Sequence, residues 1–367
     1  MEGARSTALL GLFLLLAGAL FDAEGLYVAG VAFLGLAGLS VAWVLTGVRG
    51  LSIERTIGAR RVVEDEPLLV ELALATTYLS LPTCSIDDAL LPEPQQVKGG
   101  RRHTTVRVSA RFGRRGRRVL APPAVIVRDP LGLSSRAVTG THAQEVLVLP
   151  RIEPLVVPGE GEGDGGSVAR RLRPGVIQSA EVDVDGLRPY REGAPASRIH
   201  WPSVARTGEM IERRLLPEGD ARPLVLLDAR AGTEPGAGEA LDAAVRAAAS
   251  LAVHLAKAGG CLLLLPGDRR PSPLEPTLAA WGHLHARLAV VEEGNAPPLA
   301  GLASRRGPIL YVASRVLPRP PGVLAHAPGA ARFLIVPGAW GARRPAFTVS
   351  GCSGYDMAMA RARRRAA

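Results

Sequence analysis

Pro223-Leu-Val-Leu-Leu-Asp228 is the stretch on which the fold turns. Its apolar residues run without a polar interruption and stop at an aspartate. A short continuous apolar run of this kind fits a strand buried on both faces. A helical pattern follows over Glu239–Lys257, with Leu241, Val245, Ala248, Leu251, Ala252 and Leu255 on one face. Gly259 and Gly260 stop it. Cys261–Leu265 reads as a second strand, Thr277–Val291 as a second helix, and Ile309–Ala313 and Phe333–Val336 as two more strands. Buried strands alternating with helices predict an α/β domain over residues 222–367, with a parallel sheet and helices on both of its faces. Ligands in such sheets sit at the carboxyl ends of the strands. Asp228 is therefore the residue to watch.

Working outward from that strand, residues 152–221 contain the acidic, glycine-rich run PGEGEGDGGS at 158–167. Gly161, Gly163 and Gly166 satisfy G-x-G-x-x-G literally. Glu160, Glu162 and Asp164 would repel a phosphate, and no strand–turn–helix pattern surrounds the glycines, so the run reads as a linker. Residues 51–151 change period again. Leu68–Leu74, Thr104–Ser109, Ala124–Val127 and Glu145–Leu149 are short alternating runs between Pro, Gly and charged clusters, the pattern of an all-β sandwich.

Residues 1–50 are of another kind. Ala8–Phe21 is almost unbroken apolar sequence, Asp22-Ala-Glu-Gly25 is a polar break, and Leu26–Val48 carries no charge. About 20 apolar residues span a bilayer as a helix, so the region predicts a transmembrane helical hairpin. Arg5 precedes the first span, and Arg49, Arg55, Arg60 and Arg61 follow the second, while the turn carries only acid. The positive-inside rule then places the protein in the plasma (inner) membrane with both termini and the soluble regions cytoplasmic. The competing reading is a signal peptide cleaved after Ala17-Gly18-Ala19.

Composition excludes several function classes. Among 367 residues, 47% are hydrophobic and 21% charged, which is not the balance of a disordered chain. Aromatics make up 4%, too few for a base-stacking platform. The only lysines are Lys98 and Lys257, and no G-x-x-x-x-G-K-[ST] exists, so the chain is not a P-loop ATPase. Cys84, Cys261 and Cys352 are odd in number and far apart, which predicts free, buried thiols. H-E-x-x-H and G-x-S-x-G are absent, and His283 and His285 point in different directions on a helix. The net charge is +10. Its clusters at Arg101-Arg102, Arg114–Arg118, Arg170-Arg171 and Arg361–Arg365 accompany no nucleic-acid motif. Attraction to anionic lipid headgroups explains them more simply, and no nucleic-acid partner is expected.

The most unusual stretch is Gly186-Leu-Arg-Pro-Tyr-Arg-Glu-Gly193, then Ser197-Arg-Ile-His-Trp201, then Ala205-Arg-Thr-Gly208. It resembles the hallmark of a large bacterial family, domain-of-unknown-function family fifty-eight: R-x-Y-x-x-G-D, then R-x-I-x-W, then A-R-x-G. Arg188, Tyr190, Gly193, Arg198, Ile199, Trp201, Ala205, Arg206 and Gly208 fall in place. Asp129-Pro-Leu-Gly-Leu133, Leu149-Pro-Arg151 and Arg111–Gly116 are also similar to the family, as is the order hairpin, sandwich, α/β domain. The resemblance implies a von Willebrand factor A-like, Rossmann-like α/β domain on a membrane anchor. It further implies a non-enzymatic scaffold or adaptor role beside a MoxR-type AAA+ ATPase, often with a transglutaminase-like membrane protein as a further partner.

Two departures stand out. The family's aspartate after the motif glycine is Ala194 here. A von Willebrand A domain typically carries D-x-S-x-S to hold a divalent cation, and this chain has Asp228-Ala-Arg-Ala-Gly232. Arg230 offers a cation no ligand and adds a repelling charge, so the site reads as degenerate, with no metal and no cofactor. Asp228 and Arg230 read more simply as partners of each other. Within the motif, His200 reads either as an acid/base group or as a histidine orienting a packed loop. Arg188, Arg191, Arg198 and Arg206 serve either an acidic or phosphate-bearing partner, or internal pairing with Glu181, Asp183, Asp185 and Glu192. The alternative function is a metal-dependent ligand receptor or enzyme built on Asp228.

Overall fold

A computed structural model of the chain describes residues 2–158, 184–190, 199–215, 222–230, 232–294, 296, 297, 299, 302, 305, 307–324 and 331–357. The chain separates into two compact units, Met1–Val148 and Leu149–Ala367. The hairpin and the β region lie together in the first. The glycine-rich linker, the basic pair Arg170-Arg171 and the tail Arg361–Arg365 lie outside the described residues.

The first unit begins with helices α1 (Glu2–Phe21) and α2 (Glu24–Gly47), each long and apolar enough to cross a membrane. Their seam is made of small residues. Ala4, Gly11 and Gly18 are buried on α1, seven residues apart; Gly30, Ala37 and Val44 repeat that spacing on α2. A seven-residue repeat keeps one stripe of each helix against its neighbour. The backbones come so close that a Cβ on Gly11 would stand 2.9 Å from the Gly30 carbonyl oxygen. The large apolar side chains point away from the seam: Leu9, Phe13, Leu16 and Leu20 on α1, and Val28, Val31, Leu39 and Trp43 on α2, are exposed. A soluble protein buries such residues. Small residues inside and large apolar ones outside is the packing of helices that face lipid.

The roots of the hairpin rest on the β region. The Ala4 amide, one of the unpaired donors of a helix start, donates to the Leu133 carbonyl at 2.8 Å. At the other root, Gly47 lies against Pro82 and Val127. The Asp22–Ala23 turn is thus at the far end.

The β region holds β1 (Leu51–Ile57), β2 (Arg61–Val63), β3 (Leu68–Thr76), β4 (Cys84–Asp87), β5 (Gln95–Val97), β6 (His103–Ala110), β7 (Gly116–Leu120), β8 (Ala124–Arg128), β9 (Ser135–Thr139) and β10 (Gln144–Leu149). They form sheets β1-β3-β6, β5-β4-β8-β9 and β2-β10-β7. The first two are antiparallel throughout. Leu51, Ile53, Leu72 and Leu74 from the first sheet meet Cys84, Ile86, Val125 and Val127 from the second. A smaller core of Val62, Leu68, Val70, Leu120, Val146 and Val148 lies under the third.

Two sequence readings need correction in this unit. Arg55 is not a flanking charge of the hairpin. It is the third inward position of β1 after Leu51 and Ile53, and is 3% exposed. Arg115, counted in a basic surface cluster, is 8% exposed. Strand alternation carried Arg55 inward, while Arg115 lies in the loop before β7 with its amide bonded to Glu64 Oε1 at 2.8 Å; a charge count sees neither.

The second unit contains β11 (Val184–Pro189), α3 (Trp201–Thr207), β12 (Ile211–Leu215), β13 (Leu224–Asp228), α4 (Ala237–Gly259), β14 (Cys261–Leu264), β15 (Ser272–Leu274), α5 (Trp281–Ala289), β16 (Ile309–Ala313), β17 (Arg332–Pro337), β18 (Phe347–Val349) and β19 (Cys352–Asp356). Seven strands form one sheet in the order β15-β14-β13-β16-β17-β19-β18. The central four, β14-β13-β16-β17, are parallel. The edges are antiparallel, so the sheet is mixed and not the all-parallel one expected. The connections explain this. The link between β14 and β15 is too short for a parallel crossover, which takes a dozen residues or more. Ser350 and Gly351, both at positive φ, make the two-residue turn of a β18–β19 hairpin.

The helices are also distributed differently. α4 and α5 both pack on one face, against Val225, Leu227, Leu263, Leu310, Val312 and Phe333. Among the described residues the other face is covered by connecting segments, through Leu302, Leu317, Val323, Leu324 and Trp340. α5 starts at Trp281, later than the expected Thr277, because Leu278 sits at φ 57°, outside the helical region. The three cysteines are free and buried. Desolvation raises the thiol pKa of each, to about 12 for Cys261 and Cys352.

Candidate functional site

Asp228 ends β13, the central strand from which the chain goes one way to β14 and the other way to β16. That reversal is the topological switch point, where α/β sheets open a crevice at strand ends. Side chains alternate along β13, so Asp228 shares the face of Leu224 and Leu226, opposite the face that α4 and α5 cover. Tyr311 of β16 is paired with Leu226 and lies on the same face. Its hydroxyl reaches forward and donates to Asp228 Oδ2 at 2.6 Å.

Arg230 completes the cluster. Its Nε lies 2.9 Å from Asp228 Oδ1 and its Nη2 2.6 Å from Oδ2, a two-pronged grip on one carboxylate. The Arg230 amide adds a bond to Oδ1 at 3.2 Å. Ser314, just past β16, fixes the loop: its amide donates to the Asp228 carbonyl at 2.9 Å and its hydroxyl to the Arg230 carbonyl at 2.7 Å. The Asp228 side chain is 1% exposed and that of Arg230 33%. Burial alone would raise the carboxyl pKa, but the bonds from Arg230 and Tyr311 outweigh it and hold Asp228 below the ordinary carboxylate value. Burial and the neighbouring carboxylate raise the Tyr311 pKa, keeping its hydroxyl protonated as a donor.

Chemically, the cluster is closed. Both carboxylate oxygens are taken by donors, and a hard cation needs several free oxygen ligands. To reach Asp228 a cation would first have to displace a guanidinium. Among the described residues no group of three or more His, Cys, Asp or Glu is placed to hold a metal ion.

The segment that carries the family resemblance forms a separate local structure. β11 and β12 pair antiparallel, with Arg188 opposite Glu212 and Pro189 opposite Ile211. α3 lies between them in sequence. The Tyr190 amide donates to the Met210 carbonyl at 2.9 Å, and the His200 amide to that of Ile211 at 2.8 Å. Ile199 is 6% exposed and anchors the turn. His200 Nδ1 is 2.7 Å from Ser203 Oγ, a local bond between the residue before α3 and its first turn. A serine–histidine contact becomes a catalytic unit when a third group orients the base; among the described residues no acid does so here. Gly208 closes α3 at φ 72°, a left-handed cap in which glycine has no Cβ to clash.

Trp201, Arg206 and Met210 remain on the surface. Arg191, Gly193, Ala194 and Arg198 lie outside the described residues. The motif and the Asp228 cluster are thus two distinct places. Tyr311 and Ser314 escaped sequence reading, since only the register of β13 against β16 brings them to Asp228.

A scan against models of known protein families finds none that matches the chain, and a search of curated proteins likewise returns no match.

Proposed function

We propose that the chain is a membrane-anchored, non-enzymatic scaffold or adaptor of domain-of-unknown-function family fifty-eight. In this reading the hairpin spans the plasma membrane, both termini and the soluble units are cytoplasmic, and the second unit is a von Willebrand A-like domain with a closed metal site. Its partner is a MoxR-type AAA+ ATPase in a cell-envelope or complex-assembly system, with a transglutaminase-like membrane protein as a further member. The observation that carries the interaction role is the surface of the motif segment. Trp201 is 60% exposed and Met210 55% exposed, with exposed Arg206 beside them in sequence. Tryptophan and arginine are the residues most enriched where protein interfaces concentrate their binding energy. The Asp228 cluster argues against the alternative, a metal-dependent receptor or enzyme, because its oxygens are already occupied.

The test is crosslinking and co-purification of tagged full-length protein from its native membranes, with and without ATP. Recovery of an AAA+ ATPase that is lost on combining Trp201→Ala with Arg206→Ala is the expected result. Both side chains are exposed, so the fold should survive the change. Recovery of envelope proteins alone, or of nothing, would overturn the ATPase link.

A further inference from the structure

We infer that the β region of the first unit rests on the membrane itself, through two apolar loop tips at the roots of the hairpin that dip into an anionic lipid surface. This rests on reading α1 and α2 as membrane-spanning.

One tip belongs to the loop Asp129–Ser134. Asp129 is 4% exposed and organises the loop: its Oδ2 accepts from the Leu131 amide at 3.1 Å and its Oδ1 from the Ser134 amide at 2.5 Å. The Gly132 amide returns to the Asp129 carbonyl at 3.0 Å. The loop is therefore fixed, and it fixes Leu131 outward, 63% exposed. Its last leucine, Leu133, is the residue whose carbonyl receives the Ala4 amide of α1. Leu131 is thus held out beside the point where the first helix leaves the β region.

The second tip follows β3. The Thr77 amide and hydroxyl both donate to the Gly50 carbonyl, three residues past the end of α2. The Leu81 amide donates to the Arg101 carbonyl at 2.8 Å. Between these two anchors Tyr78 is 69% and Leu79 56% exposed. A single exposed leucine means nothing by itself. Here both roots of an apolar hairpin carry one, on loops tied to the helix ends.

The charges fit the same occupant. Arg5, Arg49, Arg101, Arg102 and Arg128 are all exposed: Arg5, Arg49 and Arg128 flank the helix ends or the first tip in sequence, and the Arg101 and Arg102 carbonyls accept from the Leu81 and Thr76 amides that bracket the second. Tyrosine and leucine at the boundary, with arginines beside them, match the apolar–polar gradient of an anionic bilayer surface. The surface is continuous with the hairpin, which already commits this end of the unit to lipid.

The test uses full-length protein in vesicles of phosphatidylcholine mixed with phosphatidylglycerol. Single substitutions Leu131→Cys, Leu79→Cys, Leu12→Cys and Leu69→Cys each carry a polarity-sensitive fluorophore. The native cysteines are buried and stay unlabelled. Leu12 reports the span, and Leu69, 67% exposed at the opposite end of β3 from Thr77, reports water. The labels at 79 and 131 should shift to the blue. Lipid-borne nitroxides should quench them several-fold more strongly than aqueous iodide does, and the reverse should hold at 69. If 79 and 131 behave like 69 while 12 lies in lipid, the platform is overturned and the hairpin stands. If 12 also lies in water, the hairpin reading falls and takes the platform with it. Shallower burial of 79 and 131 in pure phosphatidylcholine is expected; equal burial would overturn the role of the arginines.

Discussion

Each unit contains an aspartate gripped by an arginine, and the two pairs are built in opposite ways. In the first unit Arg55 Nη1 meets Asp88 Oδ2 at 2.9 Å, with side chains 1% and 0% exposed. The partners are 33 residues apart, and the same guanidinium bonds Gln144 Oε1 at 3.0 Å and the Leu120 carbonyl at 3.1 Å. Gln144 answers by donating to the Arg55 carbonyl at 2.7 Å. One charge thus ties β1 to β10, to the end of β7 and to the turn after β4. In the second unit Asp228 and Arg230 are two residues apart, and a third of the arginine side chain sees solvent. The first pair joins distant segments, while the second shapes one strand end. A buried charge network ties distant segments together; a local pair fixes the chemistry of one strand end.

Removing one partner of the first pair should have the largest effect. Arg55→Met leaves a carboxylate in a dry core, which costs about 3–5 kcal/mol when a buried pair is broken. Urea unfolding in detergent, followed by hydrogen exchange in each unit, should show that loss in the first unit alone. Combining Arg55→Met with Asp88→Leu should recover much of the stability, because well-packed apolar residues often match or exceed a buried ion pair. If the double variant is no better than Arg55→Met, the pair is needed for register and not merely for charge balance.

Arg230→Met should cost less, about 1.5–3 kcal/mol, the worth of hydrogen bonds to a charged group. Its sharper signature is in pH. In the native protein the lowered Asp228 pKa adds stability that is full above the unfolded carboxyl value and fades as pH falls through the folded one. Without the Arg230 guanidinium, burial is opposed only by the Tyr311 hydroxyl and the residue-230 amide, and the carboxyl pKa should rise above its unfolded value. The folded variant then takes up its proton first and gains stability on mild acidification. A titration of unfolding free energy carried from neutral pH down to about pH 2 should therefore show an Asp228 contribution of opposite sign in the two proteins. Arg230→Lys, which keeps the charge but not the fork, should fall between them.

These pairs also show how far the sequence could be read. The Asp228–Arg230 contact is legible because both partners lie within one strand end. The hairpin is legible because an apolar run of that length needs no partner to be recognised. Ile309–Ala313 stands where its apolar run places it, and α4 extends two residues beyond the expected pattern at each end. Arg55 is illegible because the local pattern Leu51-x-Ile53-x-Arg55 looks like a strand leaving the core, and only Asp88 explains why it does not. The antiparallel edges are missed for a related reason. β15 and β18 are three residues each, too short for a periodicity, and their direction is set by the turns that precede or follow them. Leu131 and Tyr78 are ordinary loop residues until the helix ends are seen beside them.

A third buried group sharpens the contrast, since its contacts among the described residues are with a ring and a carbonyl. His285 is 7% exposed, stacks on Trp281 with ring centroids 4.7 Å apart, and its Nε2 lies 2.7 Å from the Pro150 carbonyl. Burial lowers its pKa, against the smaller opposing pull of that carbonyl. The unfolded chain then binds the proton more readily, so stability is whole above the unfolded value and falls as pH drops through about 6.5. The slope should not exceed about 1.4 kcal/mol per pH unit, the limit for one proton. The second unit should thus lose stability in two acid steps, one below neutrality from His285 and one below pH 4 from Asp228. His285→Gln should remove only the upper step, at a cost near pH 8 of about 0.5–1.5 kcal/mol for the altered hydrogen bond. If the upper step survives the substitution, another group governs it.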